Sequence, residues 1–242
     1  MRKILKIFII LLCTTTVSCA KTSHSLKVNL KKKYTSKDLE ILRSRLRTGD
    51  LIFQYTNSRV AKITKSLTSS PITHVGIVIA NKDKIHVLEA SRKVKFTELR
   101  TFLLKSKNGW LAIKRPIKEL SYQQTQLINK ELHNWLNKPY DFKFSWSNEK
   151  IYCTELVYKI YEAVGIKISG LQLISEIIEE NKNNPVLKSY IEKVYRKKEN
   201  IKQNQPILTP ALLFHSEKLV YLKDEEGNWY NTFPYHINDS GP

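Results

Sequence analysis

Two runs of β-branched and apolar residues, Thr73-His74-Val75-Gly76-Ile77-Val78-Ile79-Ala80 and Lys84-Ile85-His86-Val87-Leu88-Glu89-Ala90, are separated only by Asn81-Lys82-Asp83. Runs of this kind across a short polar turn fold as an antiparallel hairpin. Side chains alternate between faces along a strand, so the register decides which polar residues meet. A two-residue loop at Asn81 and Lys82 sets His74 opposite Glu89. A four-residue loop, 81 to 84, sets Glu89 against Gly76, with His74 as its diagonal neighbour on the same face. A three-residue loop with a bulge breaks this parity. Both even loops bring an imidazole and a carboxylate within reach, and Gly76 leaves space beside them.

Around the hairpin the pattern alternates helices and strands. Leu39, Leu42 and Leu46 predict a helix over Ser36 to Leu46, and Arg47-Thr48-Gly49-Asp50 a turn into a strand, Leu51 to Tyr55. Val60, Ile63 and Leu67 predict a helix over Ser58 to Leu67. A strand over Trp110 to Arg115 and a helix over Ser121 to Leu136, capped by Ser121, come next. Asn137-Lys138-Pro139-Tyr140-Asp141 breaks that helix. Leu156, Val157, Ile160, Tyr161 and Val164 then define one buried side of a helix over Thr154 to Val164, stopped by Gly165. The tail is apolar enough to pack on this domain. It holds a short extended piece between Pro206 and Pro210, and strands over Leu219 to Lys223 and Trp229 to Phe233. The Leu/Ile stripe from Leu171 to Ile178 reads as core packing, or as the wall of an apolar groove.

Cys153 stands at the mouth of the helix that follows it. The chain has three cysteines, and Cys13 and Cys19 both lie at the N-terminus. There Arg2, Lys3 and Lys6 precede the apolar run Ile7 to Cys13, followed by small residues, the order of a secretory signal. The apolar run is short of the roughly 20 residues needed to span a bilayer. An exported product would leave Cys153 no intramolecular partner but Cys19, which disfavours a structural disulfide. Unpaired amides and the positive end of the helix dipole favour a thiolate at such a site, and a backbone amide of the same turn can bind an oxyanion. A lone cysteine is otherwise a small buried hydrophobe, so the surrounding residues decide.

Val17-Ser18-Cys19 resembles a bacterial lipobox, with Thr16 where leucine is usual, which makes Cys19 the expected acylated residue. Ordinary cleavage after Ala20 is the alternative. Residues 20–37 are polar and basic and suit a tether, leaving 38–242 as a single domain with no linker dividing it. Residues 1–18 carry three basic residues and no acid, so the formal charge falls from +19 to +16 on their removal. A basic surface can attract anionic lipid, acidic glycan or nucleic acid, and for an exported protein nucleic acid is the least expected. Solvated lysines are the simpler account of the charge, since charge runs usually mark solvated faces or tails. No cysteine and histidine cluster suggests zinc, and no glycine loop a bound phosphate; no metal or organic cofactor is expected.

Five strings in order, Arg47-Thr48-Gly49-Asp50-Leu51-Ile52-Phe53, Thr73-His74-Val75-Gly76-Ile77, Val87-Leu88-Glu89-Ala90, Lys138-Pro139-Tyr140-Asp141 and Tyr152-Cys153-Thr154-Glu155-Leu156-Val157, resemble the permuted NlpC-type, papain-like cysteine hydrolases of the YiiX/YebB kind. The resemblance spans roughly Arg47 to Gly165. Papain-like enzymes ordinarily run cysteine first and histidine later, whereas here the order is His74, Glu89, Cys153, as a circular permutation produces. The resemblance implies an α+β fold: a small, mostly antiparallel sheet bearing His74 and Glu89, packed by a helix presenting Cys153. It implies Cys153 as nucleophile, His74 as general base and then acid, and Glu89 as the group orienting the imidazole. Tyr152 is the expected oxyanion or substrate-binding residue, and Asp50 a turn carboxylate.

The expected activity is hydrolysis of an amide in the bacterial envelope, of a peptidoglycan stem peptide or of an N-acyl or lipid-linked amide. The membrane is reached through a lipid anchor on Cys19, or the product is periplasmic without one. An apolar groove suits an acyl chain and an open polar cleft a stem peptide. The competing reading is a non-catalytic envelope module that docks anionic lipid or glycan on its basic face.

Overall fold

The computed structural model describes residues 36–81 and 84–222. The expected leader, Cys19, the tether and the strand Trp229 to Phe233 lie outside the described residues. The first element is α1 (Ser36–Arg45), followed by β1 (Leu51–Gln54), α2 (Arg59–Thr68) and the hairpin β2 (His74–Asn81) and β3 (Lys84–Ala90). Next come β4 (Val94–Glu98), α3 (Leu99–Leu104), β5 (Leu111–Pro116), α4 (Tyr122–Trp135) and α5 (Cys153–Ala163). The C-terminal part adds β6 (Gln172–Leu173), α6 (Ile174–Glu180), α7 (Pro185–Val194), β7 (Pro206–Ile207), α8 (Pro210–Phe214) and β8 (Leu219–Tyr221).

Six strands form one sheet in the order β4-β3-β2-β1-β5-β8, with every pairing antiparallel. β6 and β7 pair separately. This is the expected α+β architecture with a mostly antiparallel sheet. Burial on both faces explains why β1 reads as an unbroken apolar run rather than an alternating one. Leu51 and Phe53 face the cluster built with α4, α5 and α6, while Ile52 faces Leu39 and Leu42 of α1 and Phe102 of α3.

In the hairpin Asn81 pairs with Lys84 and Ile77 with Leu88. Continued one step, this register sets Glu89 beside Gly76 and makes His74 its diagonal neighbour, the arrangement of the longer even loop. Gly76 is required by packing. A Cβ built there lies 2.4 Å from Val87 Cγ1 and 3.1 Å from Phe102 Cε2, so a side chain would force β2 and β3 apart or push α3 off the sheet.

The Arg47-Thr48-Gly49-Asp50 turn is held by side chains. Asp50 accepts the Arg47 amide at 2.8 Å and two Arg115 nitrogens at 2.7 and 2.8 Å. Gly49 has φ +98, a left-handed value that glycine adopts freely, and Tyr161 Oη donates to its carbonyl. Asp50 is thus a structural carboxylate, as expected.

Candidate active site

The helix bearing Cys153 starts at that residue. Tyr152 is its N-cap, with extended φ −103 and ψ 170 and no capping side chain, so the first-turn amides lack the usual side-chain acceptor. Eight of the eleven residues of α5 are buried, since it packs against β2 and β3 on one side and α4 and α8 on the others. Cys153 is a free cysteine, only 4% exposed. Burial alone fits an inert thiol; its neighbours distinguish it.

His74 begins β2, at the end of the sheet, where its ring meets the N-terminus of α5. His74 Nε2 and Glu89 Oε2 are 2.8 Å apart, and Cys153 is the ring's other neighbour that favours its charged form. With Nε2 on the carboxylate, Nδ1 is the nitrogen left for sulfur. Thr97 Oγ1 donates to the other oxygen of Glu89 at 2.6 Å, and Lys105 Nζ pairs with the same oxygen. Phe102 lies alongside the imidazole, ring centroids 5.8 Å apart. The imidazole is therefore held by a carboxylate that is itself held, the arrangement that fixes a ring's tautomer and direction.

The electrostatics follow the geometry. Burial opposes a charge on His74, but the neighbouring Cys153 and Glu89 outweigh that penalty and raise its pKa to about 9. Burial likewise opposes a charge on Glu89, and the bond and charge of His74, with the donors on Lys105 and Thr97, bring its pKa down to about 2. At neutral pH the stable state is an imidazolium on an ionised carboxylate.

The Tyr152 hydroxyl accepts the Leu208 amide at 3.2 Å, and its ring packs on Phe144 and Trp146. That bond ties the hydroxyl to the C-terminal segment, while the residue lines the same hollow as Cys153. The other tyrosine beside Cys153 is Tyr140, whose pKa burial and the neighbouring cysteine raise well above the usual value, so it keeps its proton. Tyr140 belongs to a string already quoted in the sequence, but nothing local to that string says its side chain turns toward Cys153. Asp141, beside it, accepts the Lys143 amide at 2.8 Å and the Ser145 amide, shaping the loop that follows.

Two hollows meet at this centre. One, about 740 Å³ including the part open to solvent, is walled by Ile63 and Leu67 of α2, Ile174 and Ile178 of α6, and Leu187 and Ile191 of α7, and Cys153 is part of its lining. Of the Leu171 to Ile178 stripe, Ile174, Ile177 and Ile178 are buried and wall this groove, while Leu171 and Leu173 are exposed. The other, about 1300 Å³ on the same basis, is polar and includes His74 and Glu89. Val60, Thr73 and Tyr140 border both.

A family described as permuted papain-like amidase enzymes, YaeF/YiiX, C92 family, matches residues 45–223. The chain belongs to this family. It is 30% identical over 179 residues to the uncharacterized protein YiiX of Escherichia coli strain K12, covering 74% of this chain and 86% of that one. A crystal structure described as the metalloprotein yiiX from Escherichia coli O157:H7, DUF1105, superposes with a TM-score of 0.67 at 30% identity, covering 73% of this chain and 96% of the other. Among the described residues of the present chain, no group of three or more His, Cys, Asp or Glu is placed to hold a metal ion, and no step below runs through one. Membership makes this a papain-like, amidase-type enzyme with a cysteine-hydrolase function, and confirms the fold expected from the five strings.

Proposed function

We propose that the chain is a cell-envelope cysteine hydrolase that cleaves the amide of an N-acylated or lipid-linked substrate through a thioester. The observation that carries the choice of substrate is the apolar hollow lined by Cys153 itself. Apolar walls next to the nucleophile suit an acyl chain, whereas a stem peptide calls for polar partners along its length.

With the thiol proton taken by His74, the Cys153 sulfur attacks the carbonyl carbon, and the C=O electrons move onto oxygen. The first-turn amides of α5 and the Tyr140 hydroxyl are the donors available to that oxyanion. As the tetrahedral centre collapses, the C–N bond breaks and the His74 imidazolium gives its proton to the leaving nitrogen. Water then adds to the thioester, losing a proton to His74, and the sulfur leaves with the C–S electrons. Glu89 stabilises the imidazolium in both half-reactions and is not itself protonated.

The test is hydrolysis of N-acyl amides graded in chain length. Turnover should rise from acetyl to octanoyl by up to about fourfold per methylene, the equivalent of full burial of each CH₂. Cys153→Ala should abolish it, and Tyr140→Phe should lower kcat about tenfold or more with little change in KM. Wild-type activity that ignores chain length would remove the acyl reading, and activity surviving in pure Cys153→Ala protein would remove the nucleophile.

A further inference from the structure

Resting on this hydrolase reading, we infer that the leaving group carries an oxyanion, a carboxylate or phosphate, and that Arg59, Arg92 and Lys95 receive it. Besides the His74 imidazolium, the polar cleft holds four lysines and arginines, Arg59, Arg92, Lys95 and Lys105, and a single acid, Glu89. Lys105 is spent on Glu89, and Glu89 is shared among His74, Thr97 and Lys105. Lys95 stands directly across from Glu89 in the pairing of β3 with β4, yet makes no ion pair with it. Among the described residues, Arg59, Arg92 and Lys95 have no carboxylate partner. Three uncompensated cations in one concave site raise the local concentration of an anion.

The direction of the chemistry places the anion on the leaving group rather than the acyl group. Cys153 lines the apolar hollow and not the polar cleft; His74 lines the cleft and not the hollow. An amide carbonyl at the sulfur, with its acyl chain in the hollow, sends its nitrogen toward the proton donor, and so toward the cations. Arginine and lysine around a carboxylate or phosphate make charge-assisted bonds, which are stronger and more directional than neutral ones.

Four probes test this in the full-length chain: N-octanoylglycine against N-octanoylglycinamide, and N-octanoylethanolamine phosphate against N-octanoylethanolamine. Binding is measured to the Cys153→Ala form, and turnover of the same probes by the wild type. In at least one pair the anion should bind about tenfold or more tighter than its neutral counterpart, with the ratio falling as salt rises. That ratio should drop severalfold in each of Arg59→Gln, Arg92→Gln and Lys95→Gln. The pair with the larger ratio identifies the native group as carboxylate or phosphate. Equal affinities, a ratio indifferent to all three substitutions, or no binding of any probe overturns the inference. Turnover of charged and neutral probes at the same rate leaves the hydrolase reading standing without it. Selective binding of the anions with no turnover of any probe keeps the anion site and defeats the hydrolase reading.

Discussion

At the scale of single residues, the centre works through one imidazole with two partners. Its raised pKa of about 9 makes a definite pH dependence. Because His74 is raised on folding, its contribution to stability is fully present below its ordinary pKa near 6.5 and is lost as the pH rises through about 9. Glu89 is depressed, so its contribution is present above 4.5 and lost as the pH falls through about 2. The proton His74 donates to the leaving nitrogen is retained over the same range. Hydrolysis should therefore hold through neutral pH and fall on an alkaline limb near 9; a limb near 6.5 in the pH profile would contradict the pairing. His74 and Glu89 were legible in the sequence because strand parity made them share a face under either even loop. Tyr140 was not, because the partners of a loop side chain depend on how distant segments pack. Thr97 and Lys105 were missed for the same reason: they reach Glu89 from a third strand and from the end of α3, neither of which has a strong periodic signature.

At the scale of elements, most boundaries follow from caps and periodicity. Ser58 accepts the Ala61 amide at 3.0 Å to cap α2, and Ser121 and Gln124 form a capping box that starts α4 where expected. α5 begins at Cys153, a residue earlier than expected, because Tyr152 supplies an extended N-cap with no polar side chain to announce it. β7 falls in the extended piece expected between Pro206 and Pro210, whereas its two-residue partner β6 was opaque, since so short a strand is set by tertiary contact rather than by propensity. Gly76 is where packing between elements is tightest. Gly76→Ala should cost about 1–3 kcal/mol through overpacking against Val87 and Phe102. The check is a lower urea midpoint with an unchanged slope; a midpoint equal to wild type would mean that β3 and α3 yield freely.

At the scale of the whole molecule, the helix pattern before Gly165 leaves the C-terminal third looking like padding, yet α6, α7 and the residues around β7 enclose the apolar hollow. Their role was illegible because a wall lining a cavity and a helix packed in a core have the same apolar stripe. The envelope setting stays with the leader: we propose that Cys19 carries the acyl anchor, which would keep the hydrolase at the membrane where lipid-linked amides are found. Metabolic labelling with a palmitate analogue should mark the wild type and miss Cys19→Ser; label persisting in that variant would place the lipid elsewhere, and an unlabelled wild type would remove it.

The residues on either side of the nucleophile both fasten to one later residue. Tyr152 Oη accepts the Leu208 amide, and Thr154 Oγ1 donates at 2.5 Å to the carbonyl of the same Leu208. Cysteine, histidine and glutamate are all synthesised well before that clasp exists. A growing chain that has not reached Leu208 thus carries every reacting group without the fastening that holds the nucleophile's turn, and competence waits for that later segment.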